Sequence, residues 1–492
     1  MTITKQLATI ALLYLLLGAN AVHADDASGE FKLETCQLLL PGTGLSAPAE
    51  CGWFEVAENP AEPEGRKIKL RVARVPAMAR SVEPDPLVLF AGGPGQAATE
   101  AWLIVASALR KVHKNRDILL IDQRGTGQSN PLRCPQVGLK EALAAEWSEL
   151  ESTTQACLDQ LDGDPRFYTT TIAMQDYDLV REALGYEQLN LFGVSYGTRA
   201  AQVYLRLFPD RVRSMVLDSV APQDLALGTE HAVKLDQAVG KVLQSCEQDE
   251  LCNSSFPDVS GDLDSLLQHL DEAPVDVTVN HPLTGEPFTF EFDRQVLGSA
   301  IRFLTYAAET QAMLPLLIHE AASSYSFDRL ASQLLIAAGG LTESIAQGLE
   351  MSVICAEDFP LFPPLVEDES EGSSLLGNAM MKASHIQCDI WPAGDVPENF
   401  HDPVVSDIPS LLLSGELDPV TPPEYAERVK AHLSDSLHLI APGQGHSVTG
   451  KGCIGTLVSE FIIAGSWAEL ETDCIEQLEP SPWFTSLTGP RP

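Results

Sequence analysis

The residues best suited to chemistry form a Gly-Val-Ser-Tyr-Gly pentapeptide at 193–197, whose central residue is Ser195. The preceding residues Leu189–Phe192 suit a short buried strand, and Thr198–Phe208 suits a helix that Pro209 ends. A serine on a tight turn between a strand and a helix is the arrangement of a nucleophile elbow. Both glycines fit because a Cβ at either position would clash with neighbouring backbone. The pentapeptide predicts that Ser195 attacks a carbonyl carbon; the alternative is a Gly-flanked surface turn.

A serine nucleophile also needs a base and an acid that orients the base, and behind such an elbow the chain order is acid, then histidine. Asp418 follows the predicted strand Ser410–Ser414, and His446 lies in a Gly-rich loop after the next predicted strand. Taken alone, such an aspartate is usually a helix cap and such a histidine is usually structural. In this order we predict a catalytic triad of Ser195, Asp418 and His446, with Glu416 as the alternative acid.

A second glycine-rich segment, Ala-Gly-Gly-Pro-Gly at 91–95, follows the predicted buried strand Pro86–Phe90. An oxyanion hole needs backbone N–H groups that approach the substrate oxygen closely, and glycine permits this approach. One N–H comes from the residue after the nucleophile and the other from an early loop of this kind. We therefore predict that Gly93 and Tyr196 form the oxyanion hole. A phosphate-binding loop is the alternative, but this segment contains neither Gly-x-Gly-x-x-Gly nor Gly-x-x-x-x-Gly-Lys-Ser/Thr.

Strands and helices alternate along the chain in a pattern that predicts a mostly parallel α/β sheet. The rhythm changes after Pro222, where residues are mostly helix-like apart from a strand-like patch at Val275–Phe292, and it resumes near Ser410. Because the sheet resumes, the intervening region is predicted to be an insertion in one catalytic domain. The predicted division is a signal peptide at 1–24, a first part of the core at 25–222, an inserted, mainly helical cap at 223–400 and a second part of the core at 401–492.

The first residues resemble a secretory signal peptide, since Leu7–Ala19 is almost wholly apolar and a small-residue cleavage site ends at Ala24. An uncleaved membrane anchor is the alternative. The chain has ten cysteines, and an even number in an exported protein indicates disulfides. We therefore predict an exported protein, periplasmic or extracellular. The expected pairs couple sequential cysteines: Cys36–Cys51, Cys134–Cys157, Cys246–Cys252, Cys355–Cys388 and Cys453–Cys474.

The formal net charge is −38, and residues 223–400 contribute −23 of it, with 29 acidic and 6 basic side chains. Such a surface repels nucleic acid and anionic lipid headgroups, and it favours amine-bearing partners. Solubility alone would also explain the charge. The cysteines show no metal-ligand spacing, so we expect neither a metal nor another cofactor.

The motifs resemble the proline iminopeptidase and tripeptidyl aminopeptidase family of serine peptidases, and the exported, disulfide-bearing tripeptidyl aminopeptidase-like branch is the more similar. They are Ala-Gly-Gly-Pro-Gly, Asp-Gln-Arg-Gly-Thr-Gly-Gln-Ser, Gly-Val-Ser-Tyr-Gly-Thr, Gly-Glu-Leu-Asp-Pro-Val-Thr-Pro and Gly-Gln-Gly-His. The resemblance implies an α/β-hydrolase fold with a helical cap, over about residues 65–465. It also implies that an acid of the cap binds the substrate's free α-amino group, and Glu357, in Cys-Ala-Glu-Asp, is the candidate. Ala91 departs from the usual histidine, which leaves the specificity open.

The first functional hypothesis is a serine exopeptidase that cleaves peptides near a free N-terminus through an acyl-enzyme, without a cofactor. Its partners would be peptides with a free amino terminus, and neither nucleic acid nor membrane. The second hypothesis is an esterase or amidase on small uncharged acyl substrates, which would use the same triad. The third is a catalytically silent binding protein on the same fold, against which the intact triad argues.

Overall fold

The computed structural model describes residues 31–135, 147–282, 284–365 and 374–490. Among these residues, nine strands form one sheet in the order β1-β2-β3-β5-β4-β6-β7-β10-β11, and β8 and β9 form a separate hairpin. The strands are β1 (Glu34–Leu39), β2 (Ser46–Ala57), β3 (Lys67–Val75), β4 (Leu87–Phe90), β5 (Ile118–Ile121), β6 (Leu189–Val194), β7 (Val212–Asp218), β8 (Val275–Asn280), β9 (Pro287–Phe292), β10 (Ser410–Gly415) and β11 (Ser436–Ala441).

The central strands β5, β4, β6, β7, β10 and β11 are parallel to one another. Strands β4, β5 and β10 are buried along their whole length, as expected for a parallel sheet with helices on both faces. All the parallel strands end at the same edge, so loops that follow different strands meet there. The α/β-hydrolase fold that the motifs imply is confirmed by this mostly parallel sheet.

The segment before residue 60 holds two strands, β1 and β2, to which the sequence analysis assigned no element. β1 pairs antiparallel with β2, β2 with β3 and β3 with β5, so the sheet has an antiparallel edge. Sequence reasoning missed both strands because much of this segment is exposed and lacks a continuous apolar run.

Most of the described helices lie between β7 and β10 along the chain, in the region that was predicted to be the inserted cap. The predicted strand-like patch at Val275–Phe292 is the β8–β9 hairpin. The boundaries at 223 and 400 remain a prediction.

The helices are α1 (Ala98–Val105), α2 (Arg110–His113), α3 (Trp147–Leu158), α4 (Thr170–Ala183), α5 (Tyr196–Leu207), α6 (His231–Gln248), α7 (Glu250–Ser255), α8 (Val259–Glu272), α9 (Arg294–Thr305), α10 (Ala308–Gln311), α11 (Leu314–Ser324), α12 (Asp328–Ser344), α13 (Gln347–Val353), α14 (Ala379–Cys388), α15 (Pro423–Lys430) and α16 (Ile454–Ala464).

All ten cysteines lie in the described ranges, and each of the five predicted pairs is a disulfide. Disulfides of this number are typical of oxidising compartments. The predicted signal peptide at 1–24 lies outside the described residues. In the part of the chain that is described, no helix has the length and apolar character needed to cross a bilayer.

Candidate active site

Ser195 lies between β6 and α5, at the carboxyl edge of the sheet, with φ 57° and ψ −126°. A positive φ is uncommon for a residue with a side chain, and strained conformations of this kind cluster at functional sites. The flanking glycines explain how the turn closes. A Cβ at Gly193 would lie 2.4 Å from the carbonyl oxygen of Gly197, and a Cβ at Gly197 would lie 2.0 Å from that of Phe90. The turn therefore has the geometry of a nucleophile elbow.

The glycine-rich loop after β4 lies against this elbow. A Cβ at Gly92 would lie 3.3 Å from the Cβ of Ser195, which is a tight contact. Gly93 has φ 109°, a conformation that favours glycine. In the described part of the chain, no acceptor binds the backbone N–H of Gly93 or that of Tyr196. Of the two predicted donors, Tyr196 follows Ser195 in the chain, and Gly93 belongs to the loop that lies against the elbow. Neither N–H has an acceptor among the described residues.

Asp418 and His446 meet in the loops after β10 and β11. The Nδ1 atom of His446 lies 2.8 Å from Oδ2 of Asp418. The other carboxylate oxygen accepts the N–H groups of Val420 and Thr421, each at 2.8 Å, and the hydroxyl of Thr421 donates to Oδ2. The carboxylate is therefore charged, fully buried and bound on both oxygens.

The pKa values of this pair follow from its contacts. Burial alone would raise the pKa of Asp418, but His446 and the N–H groups of Thr421 and Val420 outweigh it and hold that pKa at about 2. Burial would lower the pKa of His446, yet Asp418 raises it above its ordinary value. An imidazole with a charged acid at Nδ1 can accept a proton at its other nitrogen, as a general base does.

Glu416, the alternative acid, does not contact His446 among the described residues. Its side chain is exposed, and its Oε2 accepts the N–H of Gly443 at 2.9 Å. The geometry therefore favours Asp418 over Glu416 as the acid that orients the imidazole.

Glu357 is fully buried in one turn of π-helix, Ile354–Asp358, that follows α13. Thr170 donates its N–H to Oε1 at 2.5 Å and its hydroxyl to Oε2 at 2.8 Å. The same hydroxyl lies 2.6 Å from the phenol oxygen of Tyr196. Burial raises the pKa of Glu357, Thr170 lowers it and the charge of Asp358 raises it, so that the pKa is about 7. The structure places Glu357 behind Tyr196, joined to it through Thr170.

A second acid, Glu350, belongs to α13, which begins beside the glycine-rich loop at 91–95. The N–H of Ala346, just before α13, donates to the carbonyl oxygen of Gly95 at 3.0 Å. Glu350 is partly buried, and within the described ranges neither a hydrogen-bond donor nor an ion pair engages its carboxylate. Burial raises the pKa of Glu350 to about 7, and the positive charge of Arg302 opposes this shift.

The charge of Arg302 acts on both Glu350 and His446. Its guanidinium donates to the phenol oxygen of Tyr306 at 3.2 Å, and the ring of Tyr306 lies 5.3 Å from that of His446. The carbonyl oxygen of Tyr306 accepts the N–H of His446 at 2.8 Å. The charge of Arg302 also acts against the raised pKa of His446. Glu350, Arg302 and His446 therefore belong to one region of the molecule.

The arrangement brings together a serine on a strained turn, an acid–imidazole pair and unbonded backbone N–H groups. These are the parts required for nucleophilic hydrolysis of an acyl bond. Within the described ranges, no group of three or more His, Cys, Asp or Glu side chains could hold a metal ion.

Sequence reasoning did not single out Asp218, Tyr306 or Glu350, which all lie close to this arrangement. Asp218 had a signal, because the apolar pattern of Ser214–Ser219 predicts a strand and Asp218 lies near its end, at the edge where functional side chains gather. Tyr306 contributes a backbone carbonyl, which no sequence pattern marks. Glu350 was one of 29 acids in the predicted cap, and nothing in its neighbours distinguished it.

Comparison with known proteins agrees with this geometry. Residues 85–255 match the family model of the α/β-hydrolase fold, and residues 373–474 match the model of the TAP-like proteins. The first match contains the elbow and the glycine-rich loop, and the second contains Asp418 and His446.

Curated relatives match over part of their length. The chain is 31% identical to the serine protease Hip1 of Mycobacterium tuberculosis over 233 residues, which is 43% of this chain and 44% of that protein. It is 35% identical to the tripeptidyl aminopeptidase of Streptomyces coelicolor over 193 residues, 36% of each chain. It is 29% identical to carboxylesterase B of Mycobacterium tuberculosis over 246 residues, 46% of this chain and 44% of that one. Each match covers less than half of either chain. The sheet and the first family match show an α/β-hydrolase fold, and over residues 373–474 the chain is similar to the TAP-like proteins.

Proposed function

We propose that this protein is a serine exopeptidase that hydrolyses peptide bonds near a free N-terminus. The observation that carries the hydrolase assignment is the 2.8 Å contact between His446 and a fully buried Asp418, at the same sheet edge as the strained Ser195. Peptidase specificity is supported by the names of two relatives, a serine protease and a tripeptidyl aminopeptidase.

The proposed mechanism has two steps. The Oγ of Ser195 attacks the carbonyl carbon of the scissile bond while His446 takes the serine proton, and the N–H groups of Gly93 and Tyr196 stabilise the oxyanion. His446 then gives its proton to the leaving amine, which departs and leaves an acyl-enzyme. Water, deprotonated by His446, hydrolyses this ester and releases Ser195. Asp418 keeps the imidazole in the required tautomer and stabilises its protonated form.

We propose that an acid of the inserted region binds the substrate's protonated α-amine. Glu357 is the residue that the family motif indicates, and that assignment remains a prediction. The geometry favours Glu350, because its carboxylate has no donor among the described residues and α13 begins beside the oxyanion loop. An ammonium would supply the charge-assisted hydrogen bonds that this carboxylate lacks.

Esterase or amidase activity on small uncharged acyl substrates is the second candidate, and the match to carboxylesterase B favours it. Both candidates use the same triad, so only recognition of the amine separates them.

A panel of chromogenic aminoacyl, dipeptidyl and tripeptidyl amides, each with a free and an acetylated N-terminus, tests the proposal. Preference for free amines supports the exopeptidase and identifies how many residues are removed. Equal cleavage of free and acetylated substrates, with fast hydrolysis of simple esters, would replace it with the esterase. If the protein cleaves none of these substrates and does not react with a fluorophosphonate, it is a binding protein instead.

We also propose that the protein is exported. Its five disulfides fit an oxidising compartment, and the predicted signal peptide would direct it there. Fractionation of expressing cells, with N-terminal sequencing of the product, tests both export and cleavage after Ala24.

A further inference from the structure

Asp218, at the end of β7, is bonded to the nucleophile strand through its backbone. Its carbonyl oxygen accepts the N–H of Ser195 at 2.9 Å. Its Cα pairs with Val194 of β6 on one side and with Leu413 of β10 on the other. Its side chain is fully buried. Asp218 therefore lies between the strand that leads to the serine and the strand that leads to Asp418.

The carboxylate of Asp218 binds the three residues that follow His446. Oδ1 accepts the N–H of Val448 at 2.9 Å. Oδ2 accepts the N–H and the hydroxyl of Thr449, at 2.9 and 2.7 Å, and lies 3.4 Å from the hydroxyl of Ser447. Val448 and Thr449 are themselves buried, so water does not readily replace this acceptor. The carboxylate of Asp218 thus accepts most of the hydrogen bonds that residues 447–449 donate.

Two neighbouring contacts complete the support of the histidine. The hydroxyl oxygen of Ser219, the residue after Asp218, accepts the N–H of Ser447 at 2.8 Å. Ser447 has φ 66°, so the chain turns sharply straight after the histidine. On the other side, the N–H of His446 is bound by the carbonyl oxygen of Tyr306. Hydrogen bonds therefore hold the backbone at His446 and at the residue after it.

We propose that Asp218 is a positioning residue, which holds the loop of His446 against the strand end that carries Ser195 and so keeps base and nucleophile within reach of each other. The proposal rests on the proposed function only for the roles of Ser195 and His446. The charge of Asp218 also contributes to the raised pKa of His446, after the contribution of Asp418.

Asp218→Asn tests the role, because it keeps the shape of the side chain but turns one acceptor into a donor that faces the donors of Thr449. Misplacement of a catalytic group by about 1 Å costs about 10²-fold in rate, so we expect kcat to fall by up to about 100-fold. KM should stay within about twofold, because the substrate-binding groups are untouched. The rate of labelling of Ser195 by a fluorophosphonate should fall in parallel with kcat.

Asp85→Asn is the matched control for loss of stability. Asp85 is also a buried aspartate, and it binds Arg116 and Asn190 at 2.9 and 2.8 Å, but it precedes β4 and so lies at the opposite edge of the sheet. This variant should lower the Tm and leave the labelling rate unchanged. Wild-type labelling by a folded Asp218→Asn protein would overturn the proposal, whatever its Tm.

If Asp218→Asn does not fold, Thr449→Val and Ser219→Ala replace it. Each removes one hydrogen bond of about 1 kcal/mol, and we expect about a fivefold fall in labelling rate and kcat. Unchanged rates in both variants would overturn the proposal. If the wild-type protein is labelled but cleaves no peptide, the proposed exopeptidase function is wrong. The labelling rates of the variants then still test the positioning role of Asp218. If the wild-type protein is not labelled, both proposals fail.

Discussion

Two acids, the buried Asp418 at the edge of the sheet and the partly buried Glu350 between β7 and β10 along the chain, have very different environments. Asp418 accepts hydrogen bonds from backbone N–H groups, a hydroxyl and His446, and its pKa is about 2. Glu350 has no such donor among the described residues, and burial raises its pKa to about 7. Burial disfavours charge at both positions, and only bound donors reverse the effect.

The difference separates two kinds of task. A carboxylate that is already fully bound, such as Asp418 or Asp218, holds other groups in place and has no capacity for a ligand. A carboxylate without donors gains most from a cation that arrives with the substrate. Glu357 is intermediate, since Thr170 occupies both of its oxygens while its pKa is about 7. The comparison therefore predicts rate effects at the sheet edge and specificity effects in the inserted region.

The largest effect is expected for Ser195→Ala, which removes the nucleophile while leaving the strained turn in place. Turnover should fall by several orders of magnitude, since an enzyme of this type without a triad member retains only roughly 10³–10⁴-fold catalysis over water. Measurement of kcat on the best amide of the panel, with circular dichroism to verify folding, gives the result. Near-normal turnover by the purified variant would refute the role of Ser195.

Asp418→Asn should lower kcat by about 10⁴-fold, the loss known when the acid of a triad becomes an amide and the wrong histidine tautomer is favoured. Glu416→Gln is the matched control, because Glu416 lies two residues away and binds only Gly443 among the described residues. It should have little effect on kcat. If Glu416→Gln is the damaging change and Asp418→Asn is mild, the acid has been assigned wrongly.

Glu350→Gln should lower kcat/KM for free-amine substrates by about 10- to 150-fold, which corresponds to a charge-assisted hydrogen bond of about 1.5–3 kcal/mol. Acetylated substrates and simple esters should be nearly unaffected. Selectivity for free amines should fall above pH ~8, where an α-amine with a pKa of about 7.7–8.0 becomes neutral.

Glu357→Gln is the matched variant on the same stretch of chain. If Glu357 binds the amine, as the family motif indicates, this variant shows the selective loss and Glu350→Gln does not. If Glu357 only supports Tyr196 through Thr170, the variant slows free and acetylated substrates alike. If the two variants behave alike on all substrates, neither Glu350 nor Glu357 is the acid that binds the substrate amine.

The smallest expected effect is a shift of the pH profile. His446 must be neutral to act as a base, so activity falls as the pH drops through its pKa. Asp418 and Asp218 raise this pKa while Arg302 opposes them, so the acid limb of kcat/KM should have its midpoint above the ordinary value of about 6.5. In Asp418→Asn the raising charge is lost, and the limb of the residual activity should move to lower pH. A limb that stays in place would contradict this electrostatic account.

The alternating pattern of Lys67–Val75 predicts a strand and the sequence of Ile454–Ala464 predicts a helix, and these are the bounds of β3 and α16 in the structure. The spacing of apolar residues determines such elements locally, so the periodicity of the sequence predicts them directly. The glycines around Ser195 were predictable for a related reason, since only glycine fits where backbone atoms would lie about 2 Å from a Cβ. The five disulfide pairs followed from the spacing of the cysteines.

The sequence by itself thus determined the nucleophile turn, the order of the candidate triad and the class of fold, because these depend on local geometry and chain order. Only the tertiary structure decided which acid faces His446, that Asp218 binds the loop of His446, and that Glu357 is occupied by Thr170 while Glu350 is not. The role of a carboxylate depends on which donors surround it. Those donors come from strands and helices far apart in the chain, such as Thr170 for Glu357 and Thr449 for Asp218.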